Sequence, residues 1–161
     1  MPVFRRAGAD DLVALLDLER AASQAGLGHV FAPDDHPFPD DDVLARWALL
    51  LEEPGARVDV VDDPATPSGL ALLTAYDATS LRHLAVDPTR WGTGLGRAGV
   101  ERATTAVAAG GGATASLWCL ERNHRARALY ERLGWRPTGE RRDAVWPPHP
   151  VEMAYEVDVT S

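Results

Sequence analysis

The sequence predicts an α/β fold, in which one mixed β-sheet is covered by helices within a single domain of residues 1–161. Two observations support this prediction. Short apolar strands and amphipathic helices follow one another in the order β-α-α-β-β-β-α-β-α-β-β. The chain has 161 residues, of which 45% are hydrophobic and 25% charged, as is typical of a globular domain with a buried core.

The first half of the chain contains three of the strands and two of the helices. The predicted strands are residues 2–6, 57–61 and 69–75. The predicted helices run from a cap at Asp10 or Asp11 to about residue 24, and from about residue 41 to residue 53. Asp10 or Asp11 caps the first helix, and Pro54 with Gly55 ends the second. The turn 62–68 contains two prolines, so it joins the second and third strands as a hairpin.

The second half alternates strands and helices before it ends in two strands. The predicted strands are residues 81–86, 114–120, 135–142 and 151–157. One helix covers residues 94–109 and ends at three glycines. Asn123 caps the other helix, and Gly134 ends it as the residue after its C-terminus.

Composition and charge exclude several classes of protein. The net charge is −8 and the isoelectric point about 5.0, whereas a general nucleic-acid binder needs a basic surface. Without a run of about 18 apolar residues the sequence predicts no membrane span, and its N-terminus lacks the apolar core of a signal peptide. Cys119 is the single cysteine, so no internal disulfide forms. We therefore expect a cytoplasmic protein.

The most informative stretch joins strand 81–86 to helix 94–109. Pro88 ends the strand, and glycine then occupies every second position from Gly92 to Gly96. Such a loop exposes backbone N–H groups at a helix N-terminus, where a phosphate binds. Glycine also removes side chains where the backbone must approach a ligand closely. The sequence therefore predicts a phosphate site here.

Other interpretations of this loop are open. Residues 94–99 match the dinucleotide fingerprint GxGxxG, and Glu121 lies 22 residues beyond Gly99, where a ribose-binding acid belongs. In that fold, however, the first glycine follows its strand almost at once, whereas residues 87–91 intervene here. Another interpretation is a tight turn that binds no ligand, but such a turn needs only one glycine, whereas this loop has three in alternation. No Gly-Lys-Ser/Thr follows, which excludes a Walker loop.

A second motif starts at Asn123. Together with the glycine loop it resembles the GNAT superfamily of N-acetyltransferases, whose second motif is Asn-x-x-Ala-x-x-Leu-Tyr-Glu-x-x-Gly-Phe. The matching residues are Asn123, Ala126, Leu129, Tyr130, Glu131 and Gly134, with Trp135 in place of Phe. In the first motif Trp91 stands where the family usually has Gln or Arg.

The resemblance implies a more detailed fold and a donor, acetyl-CoA. It implies a mixed, mostly antiparallel central sheet of about seven strands with a V-shaped splay, flanked by about four helices. Acetyl-CoA would lie in the splay between strands 81–86 and 114–120. The implied binding residues are Leu84, Ala85, Val86, Trp91, Gly92, Thr93, Gly94, Leu95, Gly96, Arg97, Asn123 and Tyr130.

The resemblance also implies the chemistry, which is direct attack of an amine on the thioester. Tyr130 would be the general acid for the departing thiolate, and no metal takes part. The base is left open. Some relatives have a Glu or His base at the positions of Ser80 and Arg82, and neither residue here can act as a base. His83 is a weak candidate, because alternation along the strand turns it to the other face. The further options are Asp77, Glu121 and a chain of water.

The acceptor site would be built from two loops, residues 26–42 and 145–150. Asp34 and Asp35 would hold a cationic amine, and Phe31 and Trp146 would form an apolar wall. Aromatic residues of these loops equally well pack the loops onto the core. We expect a small-molecule or peptide amine as partner, with neither nucleic acid nor membrane, and a homodimer is compatible with the sequence.

Three functional classes therefore remain at this stage. The first is an acetyl-CoA-dependent N-acetyltransferase that acts on a primary amine. The second is a non-catalytic sensor that binds acyl-CoA on the same fold, for which the Tyr130 hydroxyl is not required. The third is a nucleotide-dependent redox enzyme, which rests on the GxGxxG match alone.

Overall fold

The computed structural model describes residues 1–160 and contains seven strands and four α-helices in that range. The strands are β1 (Arg5–Arg6), β2 (Arg57–Asp62), β3 (Leu70–Tyr76), β4 (Leu81–Val86), β5 (Thr114–Leu120), β6 (Arg136–Asp143) and β7 (Val151–Asp158). The helices are α1 (Leu12–Gly26), α2 (Asp40–Glu52), α3 (Leu95–Ala109) and α4 (His124–Arg132). Single 3-10 turns precede α1 and α3.

The predicted fold class and element order are confirmed, and β4 and β5 have the predicted bounds. The first strand is shorter than predicted, since only Arg5 and Arg6 pair with β2. The first helix starts at Leu12, directly after Asp11 as predicted, and ends two residues later than predicted, at Gly26; a 3-10 turn at residues 9–11 precedes it. The Asp11 carboxylate accepts from the Gly8 N–H and pairs with Arg5, so it does not cap α1.

The strands divide into two antiparallel sheets, ordered β1-β2-β3-β4 and β5-β7-β6. One parallel bridge, between Ser80 and Ser116, joins them, and the Ser116 N–H donates to the Thr79 carbonyl at 3.0 Å. The single continuous sheet expected from the element order is therefore split between β4 and β5. Beyond the bridge the rest of β4 has an open edge.

Two apolar clusters form the core. The first lies between α1, α2 and the four-stranded sheet, and its fully buried members include Leu15, Leu18, Val43, Trp47 and Val60. The second lies between α3, α4 and the three-stranded sheet, and it includes Val100, Val107, Leu117, Tyr130 and Tyr155. Helix α3 also packs on β3 and β4, and the second cluster includes Tyr76 and Leu81 of these strands, so α3 spans both sheets.

A buried carboxylate ties α3 to the first sheet. Asp59 of β2 has no exposed surface, and it accepts from Tyr76 Oη at 2.6 Å, Arg102 Nε at 2.6 Å and Arg57 Nε at 2.7 Å. Burial alone would raise the pKa of this carboxyl, but the three donors hold it below its usual value. The charge is therefore retained inside the fold.

Within residues 1–160, no helix is both long enough and apolar enough to cross a bilayer.

Candidate functional site

The loop between β4 and α3 begins with a closed turn. The Asp87 carboxylate accepts from the Thr89 N–H at 2.9 Å and from its hydroxyl at 2.6 Å. Gly92 and Gly94 then adopt φ values of 78° and 89°, in the left-handed region that favours glycine. A Cβ atom at either position would meet nothing within 4 Å, so this side of the loop faces open space.

The loop presents six consecutive backbone N–H groups. Within residues 1–160, the N–H groups of residues 92–97 donate no hydrogen bond, and the first N–H of this stretch with a partner is that of Ala98. The last three of them belong to the first turn of α3, where the helix dipole favours an anion. The geometry therefore fits the predicted phosphate site.

Not all of the glycines in this stretch shape the loop, because two of them allow close packing instead. Gly96 has a φ outside the left-handed region, and a Cβ atom there would lie 3.1 Å from Leu129 Cδ2 of α4. At Gly99 a Cβ atom would lie 2.6 Å from Leu84 Cδ1. These two glycines let α3 pack closely on α4 and on β4, which sets the width of the site.

The open edge of β4 lies beside this loop. The Asp87 N–H donates to the Ala71 carbonyl, so alternation along the β3–β4 ladder directs the backbone groups of Ala85 toward β3. The backbone groups of Leu84 and Val86 face the open edge instead. Of the three residues predicted to pair with a pantetheine arm, these two are placed to do so.

Trp91 occupies part of that edge. Its indole N–H donates to the Val86 carbonyl at 2.9 Å, which fixes the ring against the end of β4. The Val86 carbonyl has a second lone pair, so it can still accept from a ligand amide. Sequence reasoning predicted Trp91 only as a backbone contributor and missed this side-chain contact.

Asn123 and Tyr130 hold the predicted relation to each other on α4. The Asn123 side chain accepts from the Ala126 N–H at 3.2 Å and so caps the helix. Tyr130 lies two turns further on, buried, with its ring centroid 5.9 Å from that of Trp135 and 6.2 Å from that of Tyr155. Both side chains lie on the element that follows β5, across the gap from β4.

Burial raises the pKa of the Tyr130 phenol above its usual range, and neighbouring Cys119 adds to the effect. The phenol is therefore protonated at neutral pH. Within residues 1–160 the Tyr130 hydroxyl forms no hydrogen bond, so it can donate one to a ligand atom.

The comparison with known families agrees with this geometry. A family model described as "Acetyltransferase (GNAT) family" matches residues 14–135, which include the glycine loop, the Asn123 cap and Tyr130. The chain belongs to this family of acetyltransferases. No curated protein matches the chain in sequence.

Solved structures of other GNAT acetyltransferases share the whole fold. A ribosomal-protein-alanine N-acetyltransferase from Escherichia coli is 21% identical, with a TM-score of 0.69 over 100% of this chain and 96% of that one. The PaiA N-acetyltransferase from Thermoplasma acidophilum, in complex with coenzyme A, is 11% identical, with a TM-score of 0.72 over 98% and 99%. A GCN5-related N-acetyltransferase from Rhodopseudomonas palustris is 14% identical, with a TM-score of 0.76 over 98% and 96%. At these identities the likeness shows the fold.

His83 is poorly suited to act as the base of this GNAT acetyltransferase. Its ring lies 5.1 Å from that of Trp47 in α2, centroid to centroid, on the face of β4 that packs against the first core cluster. Burial lowers the pKa of His83 to about 3, and the charges of Arg46 and Arg82 add to the shift. The imidazole is neutral but too weak to take a proton efficiently near pH 7.

The two carboxylates considered as bases already have partners. The Asp77 side chain accepts from the Thr79 N–H at 2.9 Å and the Ser80 N–H at 2.8 Å, as in a turn. Glu121, the residue that the dinucleotide interpretation assigns to the ribose, forms a surface ion pair with Arg141. Within residues 1–160 no group of three or more metal-ligating side chains is assembled.

The predicted acceptor loops meet on the first core cluster. Trp146 packs on it together with Phe38, so these rings anchor the loops, and only part of the Trp146 ring is exposed. Phe31 is partly buried, whereas Asp34 and Asp35 are exposed and form no ion pair within residues 1–160. The acceptor-binding role of Phe31, Asp34, Asp35 and Trp146 stays a prediction.

Proposed function

We propose that this acetyltransferase transfers the acetyl group of acetyl-CoA to a primary amine of a small molecule or peptide. The observation that carries the proposal is the row of six unpartnered N–H groups, residues 92–97, beside the open edge of β4. The relative from Thermoplasma acidophilum was crystallised with coenzyme A, and the one from Escherichia coli is named for a ribosomal-protein alanine. The first supports an acyl-CoA donor, and the second supports an amine acceptor.

The donor would be held by backbone groups. The N–H groups of residues 92–97 would bind the pyrophosphate, and the open-edge groups of Leu84 and Val86 would pair with the pantetheine amides as an added strand does. Asn123 would orient the start of α4 and contact the same arm. Acetyl-CoA supplies an activated acyl thioester, so no metal is needed for the transfer.

Tyr130 would hold a proton for the leaving sulfur. When the amine nitrogen forms its bond to the acetyl carbon, the carbon–sulfur bond breaks and the sulfur takes up the Tyr130 proton. A free aliphatic amine has a pKa near 10.4, so the attacking amine must first lose a proton. Because the three titratable candidates are weak or already paired, we propose that water carries that proton to bulk solvent. The nitrogen releases a second proton when the amide forms, and water returns this proton to the Tyr130 phenolate.

Two measurements test the proposal. Titration calorimetry with acetyl-CoA, CoA, NAD and ATP should show binding of the two CoA compounds only. Release of free thiol should then occur with some members of a panel of polyamines, amino acids and N-terminal peptides. Binding without thiol release from any amine would favour the sensor, and binding of NAD alone would favour the redox enzyme. Acetylation of large basic proteins only would contradict the predicted acceptor class.

Glycine variants locate the binding site. Gly94 and Gly111 flank α3, have φ values of 89° and 92°, and face open space, so alanine strains the backbone similarly at both. Only Gly94→Ala distorts the row of N–H groups. We expect it to weaken acetyl-CoA binding, while Gly111→Ala leaves binding unchanged at a comparable loss of stability. Equal binding by the two variants would contradict the assignment of the loop.

A further inference from the structure

Trp91 connects the glycine loop to α4 as well as to β4. The guanidinium carbon of Arg125 lies 3.8 Å from the centroid of the Trp91 ring, which is close enough for stacking and a cation–π interaction. The N–H of the same indole donates to the Val86 carbonyl. The ring therefore has a fixed position, and it holds one guanidinium at the mouth of the gap between β4 and α4.

The other arginines of the loop are already paired. Arg90 Nε binds the Asp63 carboxylate at 2.7 Å, and Arg97 Nε binds the Glu101 carboxylate at 2.7 Å. Arg125 is exposed and forms no ion pair with any residue in the range 1–160. It is therefore the cation at this loop whose five N–H donors are available to a ligand.

The Trp91 side chain has no donor to spare for an anion. Its only N–H is used on Val86, although the family usually has Gln or Arg at this position, with polar groups that can reach a ligand. Arg125 of α4 places a guanidinium against the Trp91 ring, beside the loop. A guanidinium stacked on an aromatic face keeps its planar edge free, and that edge matches the oxygens of a phosphate.

We propose that Arg125, held on the face of Trp91, is a phosphate-binding residue that contacts the pyrophosphate of coenzyme A. This inference rests on the proposed function, because it takes the loop N–H groups as the pyrophosphate site. Trp91 acts as a positioning residue that stacks with the guanidinium. The pair thus compensates for the departure from the family motif at position 91.

The test compares a ligand with both the pyrophosphate and the 3′-phosphate, one with the pyrophosphate only, and one without either group, which also lacks the adenosine. CoA, 3′-dephospho-CoA and pantetheine are titrated into the wild-type chain, Arg125→Gln and the control Arg122→Gln, which alters an exposed arginine three residues before Arg125 that does not stack on Trp91. We expect Arg125→Gln to weaken CoA and dephospho-CoA roughly tenfold and pantetheine not at all, the usual size for a hydrogen bond to a charged group. Arg122→Gln should match the wild-type chain.

Several outcomes would overturn the inference. Unchanged CoA affinity in Arg125→Gln would refute it, and so would an equal loss for pantetheine, which indicates a structural role. A loss for CoA alone would assign Arg125 to the 3′-phosphate instead. Failure of the wild-type chain to bind CoA would refute the proposed function and this inference with it, whereas the other outcomes leave the proposed function intact.

A rescue variant tests the positioning role. Trp91→Leu should weaken both phosphate-bearing ligands although Arg125 is still present, because the guanidinium loses its stacking partner. In the Arg125→Gln background, Trp91→Arg should recover CoA affinity, since it places a guanidinium on the loop itself. The inference fails if Trp91→Leu binds CoA as tightly as the wild-type chain does, or if the double variant recovers nothing.

Discussion

Tyr130 can be tested separately from the rest of its helix. Tyr130→Phe removes the hydroxyl and keeps the buried ring, so it should lower kcat roughly 10- to 1000-fold, the range typical of a lost general acid. The KM for acetyl-CoA should change little, because backbone groups hold the donor. Steady-state kinetics with the best amine of the panel measures both constants.

The control for this variant is a second buried tyrosine in contact with the first. Tyr155 packs against Tyr130, and its hydroxyl accepts from Arg127 Nε at 3.0 Å. Tyr155→Phe should cost roughly 0.5–1.5 kcal/mol of stability and leave kcat unchanged. If the two variants lose kcat equally, the Tyr130 hydroxyl has no special role.

At the scale of single residues, the sequence predicts backbone donors better than side-chain contacts. Gly92 and Gly94 show where N–H groups are exposed, because the glycine pattern itself determines that conformation. The stacking of Arg125 on Trp91 lies outside any such pattern. It depends on how α4 is placed against the loop, which is set by packing at Gly96 and Leu129.

Asn123 caps α4, and a variant that keeps the cap tests its proposed binding role separately. Asn123→Ala removes the cap of α4 and should destabilise the protein by about 1 kcal/mol. Asn123→Asp keeps an oxygen acceptor for the Ala126 N–H but loses the amide donor. We expect near wild-type stability and weaker acetyl-CoA binding for Asn123→Asp, measured by urea unfolding and calorimetry. Unchanged binding in Asn123→Asp would reduce Asn123 to a helix cap.

The close contact of α3 with the sheet is also an element-scale property. Gly99→Ala would place a Cβ atom 2.6 Å from Leu84 Cδ1 and 3.2 Å from Leu72 Cδ1, both in strands below the helix. Overpacking of this kind should cost about 1–3 kcal/mol and displace the α3 N-terminus from β4. Urea unfolding measures the first effect, and acetyl-CoA affinity measures the second.

Gly110 provides the matched control on the same helix. It ends α3 with φ −80°, and a Cβ atom there meets nothing closer than 3.6 Å. Gly110→Ala should therefore leave both stability and affinity close to those of the wild-type chain. A loss as large as that of Gly99→Ala would mean that helix conformation, rather than the contact with Leu84, limits this position.

At the scale of the whole molecule, the sequence predicts the order of elements and the β2–β3 hairpin, but not how strands distant in sequence pair. Strand β4 and strand β5 have the predicted bounds, because local apolar patterns and glycines set them. The division into two sheets depends on contacts between distant segments, such as the bridge from Ser80 to Ser116. The open edge of β4 follows from that division, so the resemblance to a family predicted it and periodicity did not.

The buried Asp59 makes the free energy of unfolding of the whole molecule depend on pH. Its three donors come from β2, β3 and α3, and they lower its pKa in the folded chain below the unfolded value near 3.9. The ionised form therefore stabilises the fold above that value, and the contribution is lost as pH falls through the folded pKa. Asp59→Asn should cost roughly 1–3 kcal/mol at pH 7, because the partly exposed Arg57 and Arg102 lose their charged acceptor. Urea unfolding should show that the gap to the wild-type chain narrows at pH 3, and a gap independent of pH would show that Asp59 is not the acid-sensitive group.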